Sequence, residues 1–274
     1  MDMNGKVVVI TGASMGIGEE LAKIFADSGA GVVLASRDQQ RCEAARARVG
    51  HTDRTLAIAC DVRRRADHDR LLRAALDRFG RVDVWINNAG HGLQDSVAQM
   101  DVDACRAMFD TNLFGAIYGM QAAIPVMKQQ RSGTIINISS VAGHIAVPYM
   151  AAYCATKHAM NAIGKGARVE LLGTGVHVMT VCPGYIATDF SQNAVKGSEP
   201  RRLNRGERKG ITADRVARAV LAGYLARKRE VVVPWNDRIL IKLYQLVPGL
   251  VEWGMARLVR SPSAAPARVV EAGK

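Results

Sequence analysis

KVVVITGASMGIG, residues 6–18, joins a β-branched run to three glycines and then to a helical pattern. The run over 6–11 is short, continuously apolar and ended by glycine, which predicts a strand buried on both faces. Over 16–28, Leu21, Ile24 and Phe25 fall on one side of a helix. The turn between the two carries the chemistry. Gly12 permits a tight bend, Gly16 lets backbone approach a pyrophosphate, and Gly18 lets the helix lie close to the strand. The free N–H groups and positive dipole end of such a helix suit a phosphate. The spacing G-xxx-G-x-G is a variant of the dinucleotide fingerprint, and Ser14 and Ile17 complete its candidate contacts.

Outward from this turn, strands and helices alternate. Strands are expected at 31–35, 55–59, 82–86, 133–139, 176–183 and 230–233, with helices at 38–49, 66–79, 101–130, 150–172 and 212–228. Crossovers of that length require a parallel sheet with helices on both faces. The expected fold is therefore α/β: a doubly wound, Rossmann-type parallel sheet of about seven strands in three α/β/α layers. Residues 1–234 read as one domain that includes a polar loop at 187–211. Residues 235–260 read as a helical extension and 261–274 as a disordered tail.

Composition narrows the functional classes. The chain of 274 residues is 49% hydrophobic and 23% charged, ordinary for a globular protein. Its net charge of +12 invites anionic partners, yet no helix-turn-helix or RNA-binding signature appears, so nucleic acid is not expected. Cys42, Cys60, Cys105, Cys154 and Cys182 show no metal-ligand spacing. Their odd, scattered set points to free thiols in a reducing compartment and to no metal. No signal peptide is read at the N-terminus, and a cytoplasmic location follows as the expectation.

Ligands of such sheets bind at the carboxyl ends of the strands. Those ends here carry Ser36-Arg37, Asp61-Val62, Asn88-Ala89-Gly90, Ser139-Ser140 and Pro183-Gly184. An acid after strand two would hold a ribose 2′-hydroxyl. The chain has Ser36 there and Arg37 next, a guanidinium suited to a 2′-phosphate. NADP is therefore expected over NAD. In AAYCATKHAM, residues 151–160, Tyr153 and Lys157 stand one helical turn apart among small side chains that leave room for a ligand.

Together, TGASMGIG (11–18), NNAG (87–90), TNLFG (111–115), NISS (137–140), YCATK (153–157) and PGYIAT (183–188) resemble the short-chain dehydrogenase/reductase family over about residues 4–234. The resemblance implies a catalytic set of Asn112, Ser140, Tyr153 and Lys157. Tyr153 would be the acid/base, and Ser140 would polarise the carbonyl oxygen. Lys157 would favour phenolate and hold the nicotinamide ribose. Asn112 would bend its helix and hold a water. It also implies that Ile186 and Thr188 hold the carboxamide and that Asp61 and Val62 meet the adenine. Helices at 101–130 and 150–172 would build a homodimer or homotetramer.

The substrate is less legible. His144, Val147, Tyr149 and Met150 form an expected wall, mostly apolar, that suits a lipid- or steroid-like alcohol or ketone. The loop KGSEPRRLNRGERK, 196–209, has six basic and two acidic residues. It reads either as a solvated lid or as a handle for an anionic acyl thioester or membrane surface. Residues 238–260 show helical spacing of apolar residues with a break expected at Pro248-Gly249. That segment would pack on the protein, on a second subunit, or on the inner face of a membrane. Its presence resembles microsomal, 11β-hydroxysteroid-dehydrogenase-like members of the family. Two other readings stay open: a 3-oxoacyl thioester reductase, and a catalytically silent nucleotide sensor.

Overall fold

A computed structural model describes residues 3–186, 195–196 and 210–260. The expected alternation is present. It runs β1 (Val7–Thr11), α1 (Gly16–Asp27), β2 (Gly31–Ser36), α2 (Gln39–Val49), β3 (Thr55–Ala59), α3 (Arg65–Phe79) and β4 (Val84–Asn87). After a short β5 (Leu93–Gln94) come α4 (Val102–Phe109), α5 (Gly115–Gln129), β6 (Gly133–Ile138), α6 (Ala151–Glu170) and β7 (Val176–Pro183). A short β8 (Val195–Lys196), α7 (Ala213–Leu225), β9 (Glu230–Val233), α8 (Asp237–Leu246) and α9 (Pro248–Arg260) follow.

Seven strands form one parallel sheet in the order β3-β2-β1-β4-β6-β7-β9. The order reverses direction between β1 and β4, so the crevice at their carboxyl ends is the topological switch point. The strands read as unbroken apolar runs because both faces are covered. Val8 and Ile10 pack with Leu21, Phe25 and Val220 on the α1/α2/α7 side, while Val9 packs with Leu71, Trp85 and Met127 on the α3/α5 side. Burial of each such large side chain contributes about 1.5–3 kcal/mol, and the resulting rigidity fixes the strand ends that carry the site.

Four details depart from the sequence expectation. β4 begins at Val84, because the Gln130 side chain takes both the N–H and the carbonyl of Val82, at 3.1 and 2.8 Å. The 101–130 helix is three segments: a π-helical turn at Asp110–Phe114 separates α4 from α5. The C-terminal pair breaks at Val247, whose φ of −137° leaves the helix, and Pro248 instead opens α9, the first-turn position that proline tolerates. β5 pairs in parallel with β8 in a two-stranded ribbon that no periodicity announces. The remainder of the 187–209 loop, including Thr188, and the 261–274 tail lie outside the described residues.

Candidate active site

The glycine turn is pinned from below. Thr11 Oγ1 accepts from the N–H groups of Asn88 and Ala89 at 3.1 and 3.2 Å, and Asn88 Nδ2 donates to the carbonyls of Thr11 and Gly12 at 3.0 Å each. Asn88 thus serves as a latch between β4 and the turn, and Thr11 is a member of the site that motif reading missed. Gly12 has φ +66°, and a Cβ there would come within 2.8 Å of Ala89 Cα. A Cβ on Gly18 would run into the Gly12 carbonyl. Gly16 also has positive φ, +59°. The N-cap residue of α1, Met15, makes no side-chain cap hydrogen bond, and the first turn of a helix offers backbone N–H groups to a phosphate. This glycine turn fits a dinucleotide pyrophosphate.

At the far end of the crevice, Ser36 Oγ donates to Asp38 O at 2.9 Å. The Asp38 carboxylate caps α2 by accepting from Arg41 N at 3.1 Å. The acid that follows Arg37 is therefore engaged in its own helix. Arg37 is exposed and makes no hydrogen bond or ion pair with the described residues. Asp61 is held by Arg63 in a chelate with contacts of 2.6–3.1 Å, which keeps its carboxyl below the usual range. Val62 is buried against Gly115. Arg48, unmarked by any motif, reaches from α2 to the Ser14 carbonyl at 3.3 Å and pairs with Glu19.

The four candidate catalytic residues converge beside the ends of β4, β6 and β7. The π-helical turn carries Asn112, which is fully buried. Its amide accepts from His91 N and donates to His91 O at 2.9 Å each, and also donates to Thr156 Oγ1 at 3.2 Å. A Cβ on Gly90 would lie 3.0 Å from Asn112 Oδ1 and 3.7 Å from Lys157 Nζ, so Gly90 keeps open the gap between them. Lys157 Nζ donates to the Ile138 carbonyl at 2.9 Å and stands 5.7 Å from the centre of the Tyr153 ring. Ser140 opens a 3₁₀ turn, Val141–Gly143, accepts from Ala142 N at 3.1 Å and donates to Pro183 O at 3.3 Å. Its hydroxyl also bonds to the Tyr153 side chain.

Burial dominates the electrostatics here. It drives the Tyr153 phenol upward from its ordinary value, with the Ser140 hydroxyl pulling the other way. It pushes Lys157 down to about 8. At both groups desolvation is the first cause of the shift. Tyr153 rests as a neutral proton donor at neutral pH.

Of the expected substrate wall, Val147 and Met150 pack with Tyr153, Ala152, Leu93 and Met108 in one apolar cluster. Tyr149 holds a left-handed φ of +62° and accepts from Asp95 N at 2.9 Å. Such strain in a bulky residue persists only where the surroundings enforce it. His144 turns away from this group, toward β7 and β9, where its Nε2 lies 3.4 Å from Cys182 Sγ and 3.4 Å from Glu230 Oε2. Gly184 donates to Val233 O at 2.7 Å, and Ile186 pairs with Ile211 to close the neck of the 187–211 loop.

Comparison with known proteins agrees with this arrangement. Residues 6–199 match the family model described as short chain dehydrogenase. An uncharacterised oxidoreductase of Staphylococcus saprophyticus is 37% identical over 80% of this chain and 89% of its own. Dehydrogenase/reductase SDR family member 7B of Danio rerio is 35% identical over 85% and 78%. A short chain dehydrogenase/reductase from Burkholderia phymatum in complex with NAD superposes with TM-score 0.84 at 25% identity, over 97% of this chain and 99% of that one. The 3-ketoacyl-(acyl-carrier-protein) reductase of Brucella melitensis complexed with NADH gives 0.76 at 28%, over 84% and 97%. The chain belongs to the short-chain dehydrogenase/reductase family and is an oxidoreductase of Rossmann-type fold.

Proposed function

We propose that this chain is an NADP(H)-dependent oxidoreductase that interconverts a secondary alcohol and a ketone, or an aldehyde, on an apolar, lipid- or steroid-like substrate. The observation that carries the reading is the convergence of Ser140, Tyr153, Lys157 and Asn112 beside the glycine turn on one sheet edge. A bound nicotinamide would exchange the hydride. The protein's part is the proton. Tyr153, neutral in its buried setting, donates to the carbonyl oxygen, and Ser140 holds that oxygen from the side. Lys157 anchors the nicotinamide ribose and moderates the phenol, and Asn112 holds the π-turn open beside Lys157. Proton delivery of this kind contributes about 10²–10⁴ in rate.

Arg37 supports NADP, since it is exposed at the end of β2 and the nearby Asp38 is engaged as a helix cap. The apolar cluster around Tyr153 supports the substrate class. The test is a fluorescence titration of NADPH and NADH into wild type and Arg37→Ala, followed by a ketone and aldehyde screen. Expected is NADPH binding that weakens about tenfold in the variant, the size of one lost charged contact, with NADH binding weak in both. Equal binding of both nucleotides, untouched by the substitution, would remove the 2′-phosphate argument. The Brucella neighbour is a 3-ketoacyl-(acyl-carrier-protein) reductase and favours a second reading, so 3-oxoacyl thioesters belong in the same screen. Nucleotide binding without turnover of any carbonyl would favour the silent sensor.

We also propose two surfaces. Val102, Phe114, Ile163, Val169 and Leu172 are exposed on α4, the π-turn, α6 and just beyond it, and they fit a homodimer or homotetramer contact. The α8/α9 pair exposes Ile239, Leu246, Leu250 and Trp253 beside the exposed cations Arg238, Lys242 and Arg257. Among the described residues no helix is long and apolar enough to cross a membrane. Apolar side chains rimmed by cations fit a pair lying on an anionic bilayer surface.

A further inference from the structure

One side-chain cluster has no part in the chemistry above. Nε2 of His144, Sγ of Cys182 and a carboxylate oxygen of Glu230 all lie within 4.8 Å of one another. Two of the three separations are 3.4 Å, His144 to Cys182 and His144 to Glu230. Bonds of about 2.0–2.3 Å at tetrahedral angles would hold zinc ligands about 3.3–3.6 Å apart, so the two His144 separations need little adjustment and the third, within 4.8 Å, would close on binding. The scaffold is rigid. Glu230 pairs with Thr180 across β7 and β9, and Cys182 is two residues beyond Thr180, so both side chains leave the same face of the sheet. His144 closes the 3₁₀ turn that begins at Ser140.

Hydrogen bonding leaves the cluster unresolved. Nε2 of His144 has a third polar neighbour, Asn161 Nδ2, also at 3.4 Å. One imidazole nitrogen offers one N–H or one lone pair and cannot serve three partners. Asn161 is 3% exposed, and among the described residues its Oδ1 has no hydrogen-bond partner. An open coordination position filled by water would give that oxygen a donor.

The geometry points to a three-ligand site for a borderline divalent cation, Zn²⁺, built from His144, Cys182 and Glu230, with water in the fourth position and Asn161 beside it. Imidazole, thiolate and carboxylate are the donor set zinc takes. Entry would be by way of Glu230, whose side chain is 33% exposed against 8% for His144. Lys165 and Arg238 act electrostatically on both Glu230 and Cys182. These charges, Lys157 beside Cys182, and the burial that raises the Cys182 thiol all oppose a bound cation, so the site fills at raised free zinc. Occupancy would tie the β7–β9 edge to the 3₁₀ turn that runs from Ser140 to His144, and so would reach the catalytic hydroxyl from behind. The site does not depend on which nucleotide or carbonyl the protein uses.

The test strips the full-length protein with a chelator and titrates it with cobalt(II), then with zinc. Expected is one equivalent of cobalt with a thiolate charge-transfer band and tetrahedral d–d bands, displaced by zinc. Cys182→Ser loses the charge-transfer band, and His144→Gln weakens binding at least about tenfold. Cys105→Ser, a thiol outside the cluster, keeps both. Should Cys182→Ser fail to fold, His144→Gln and Cys105→Ser decide. No stoichiometric band in wild type, a band that survives Cys182→Ser, or binding indifferent to His144→Gln would each overturn the site.

Discussion

Lys157 is 4% exposed and Trp253 is 54% exposed. Each reverses the usual placing of its residue type, and the reversals differ in how they are compensated. At the strand ends the buried polar groups have partners inside the chain: Lys157 has the Ile138 carbonyl, Asn112 has His91 and Thr156, and Ser140 has Pro183. On α8/α9 the exposed apolar groups find only local relief, as where Arg257 lies 3.7 Å over the Trp253 ring. The first region is complete within the fold, and its unfavourable burial serves reactivity. The second is the surface proposed above to meet a bilayer, and its apolar side chains are exposed among the described residues. Perturbing each region should therefore have opposite consequences: function lost with stability kept or gained at the strand ends, and function kept with association lost at the helix pair.

The largest effect belongs to Tyr153. Tyr153→Phe removes the hydroxyl and little volume, so turnover should fall by about 10²–10⁴-fold while NADPH affinity and the thermal midpoint stay near wild type. Steady-state kinetics beside a nucleotide titration measures the split. Turnover within tenfold of wild type would mean that another group supplies the proton.

Lys157 sharpens the contrast through stability. Its folded pKa of about 8 lies below the ordinary lysine value. Across the window between the two, the unfolded state binds more protons, so stability rises with pH from about 8 to about 10. Below about 8 the full penalty applies, on the order of 3 kcal/mol before credit for the bond to Ile138. Lys157→Met should flatten that slope in denaturant unfolding and gain about 1–2 kcal/mol at neutral pH, while turnover falls. Parallel pH curves for the two proteins would show that the ammonium is better solvated than its burial implies.

How much of this was legible follows the same division. β1, β2, β3, β6, β7 and β9 stood in the sequence because strands covered on both faces leave continuous apolar runs, and the glycine turn because only glycine fits where Gly12 and Gly18 sit. Asn112 in a bend was legible by resemblance, and the π-turn supplies that bend. What stayed hidden depends on partners far along the chain. Gln130 removes Val82 from β4 across 48 residues, and His144 meets Cys182 across 38. No local period encodes such meetings. The depth of Tyr153 and Lys157 was hidden for a related reason: spacing shows that two groups are neighbours, and only packing shows how far both are removed from water.

The smallest effect, and the sharpest on the other side of the comparison, is expected on α8/α9. Leu246 and Leu250 are 79% and 58% exposed, so replacing both with serine takes almost nothing from the core, and surface changes of this kind stay within about 0.5 kcal/mol. Turnover of a small carbonyl in solution should not change. Co-sedimentation with vesicles containing phosphatidylserine should fall about tenfold, since full burial of each side chain contributes about 1.5–3 kcal/mol and a bilayer surface buries only part of it. Binding of wild type should weaken with salt, as cations on Arg238 and Lys242 demand. A different result has a definite meaning. If wild type ignores vesicles, and the double variant changes from oligomer to monomer in light scattering, then the face is covered by a second copy of the chain. The apolar inversion of α8/α9 would then be resolved by protein, and the two regions would contrast in where they find their partner, within one subunit or between two.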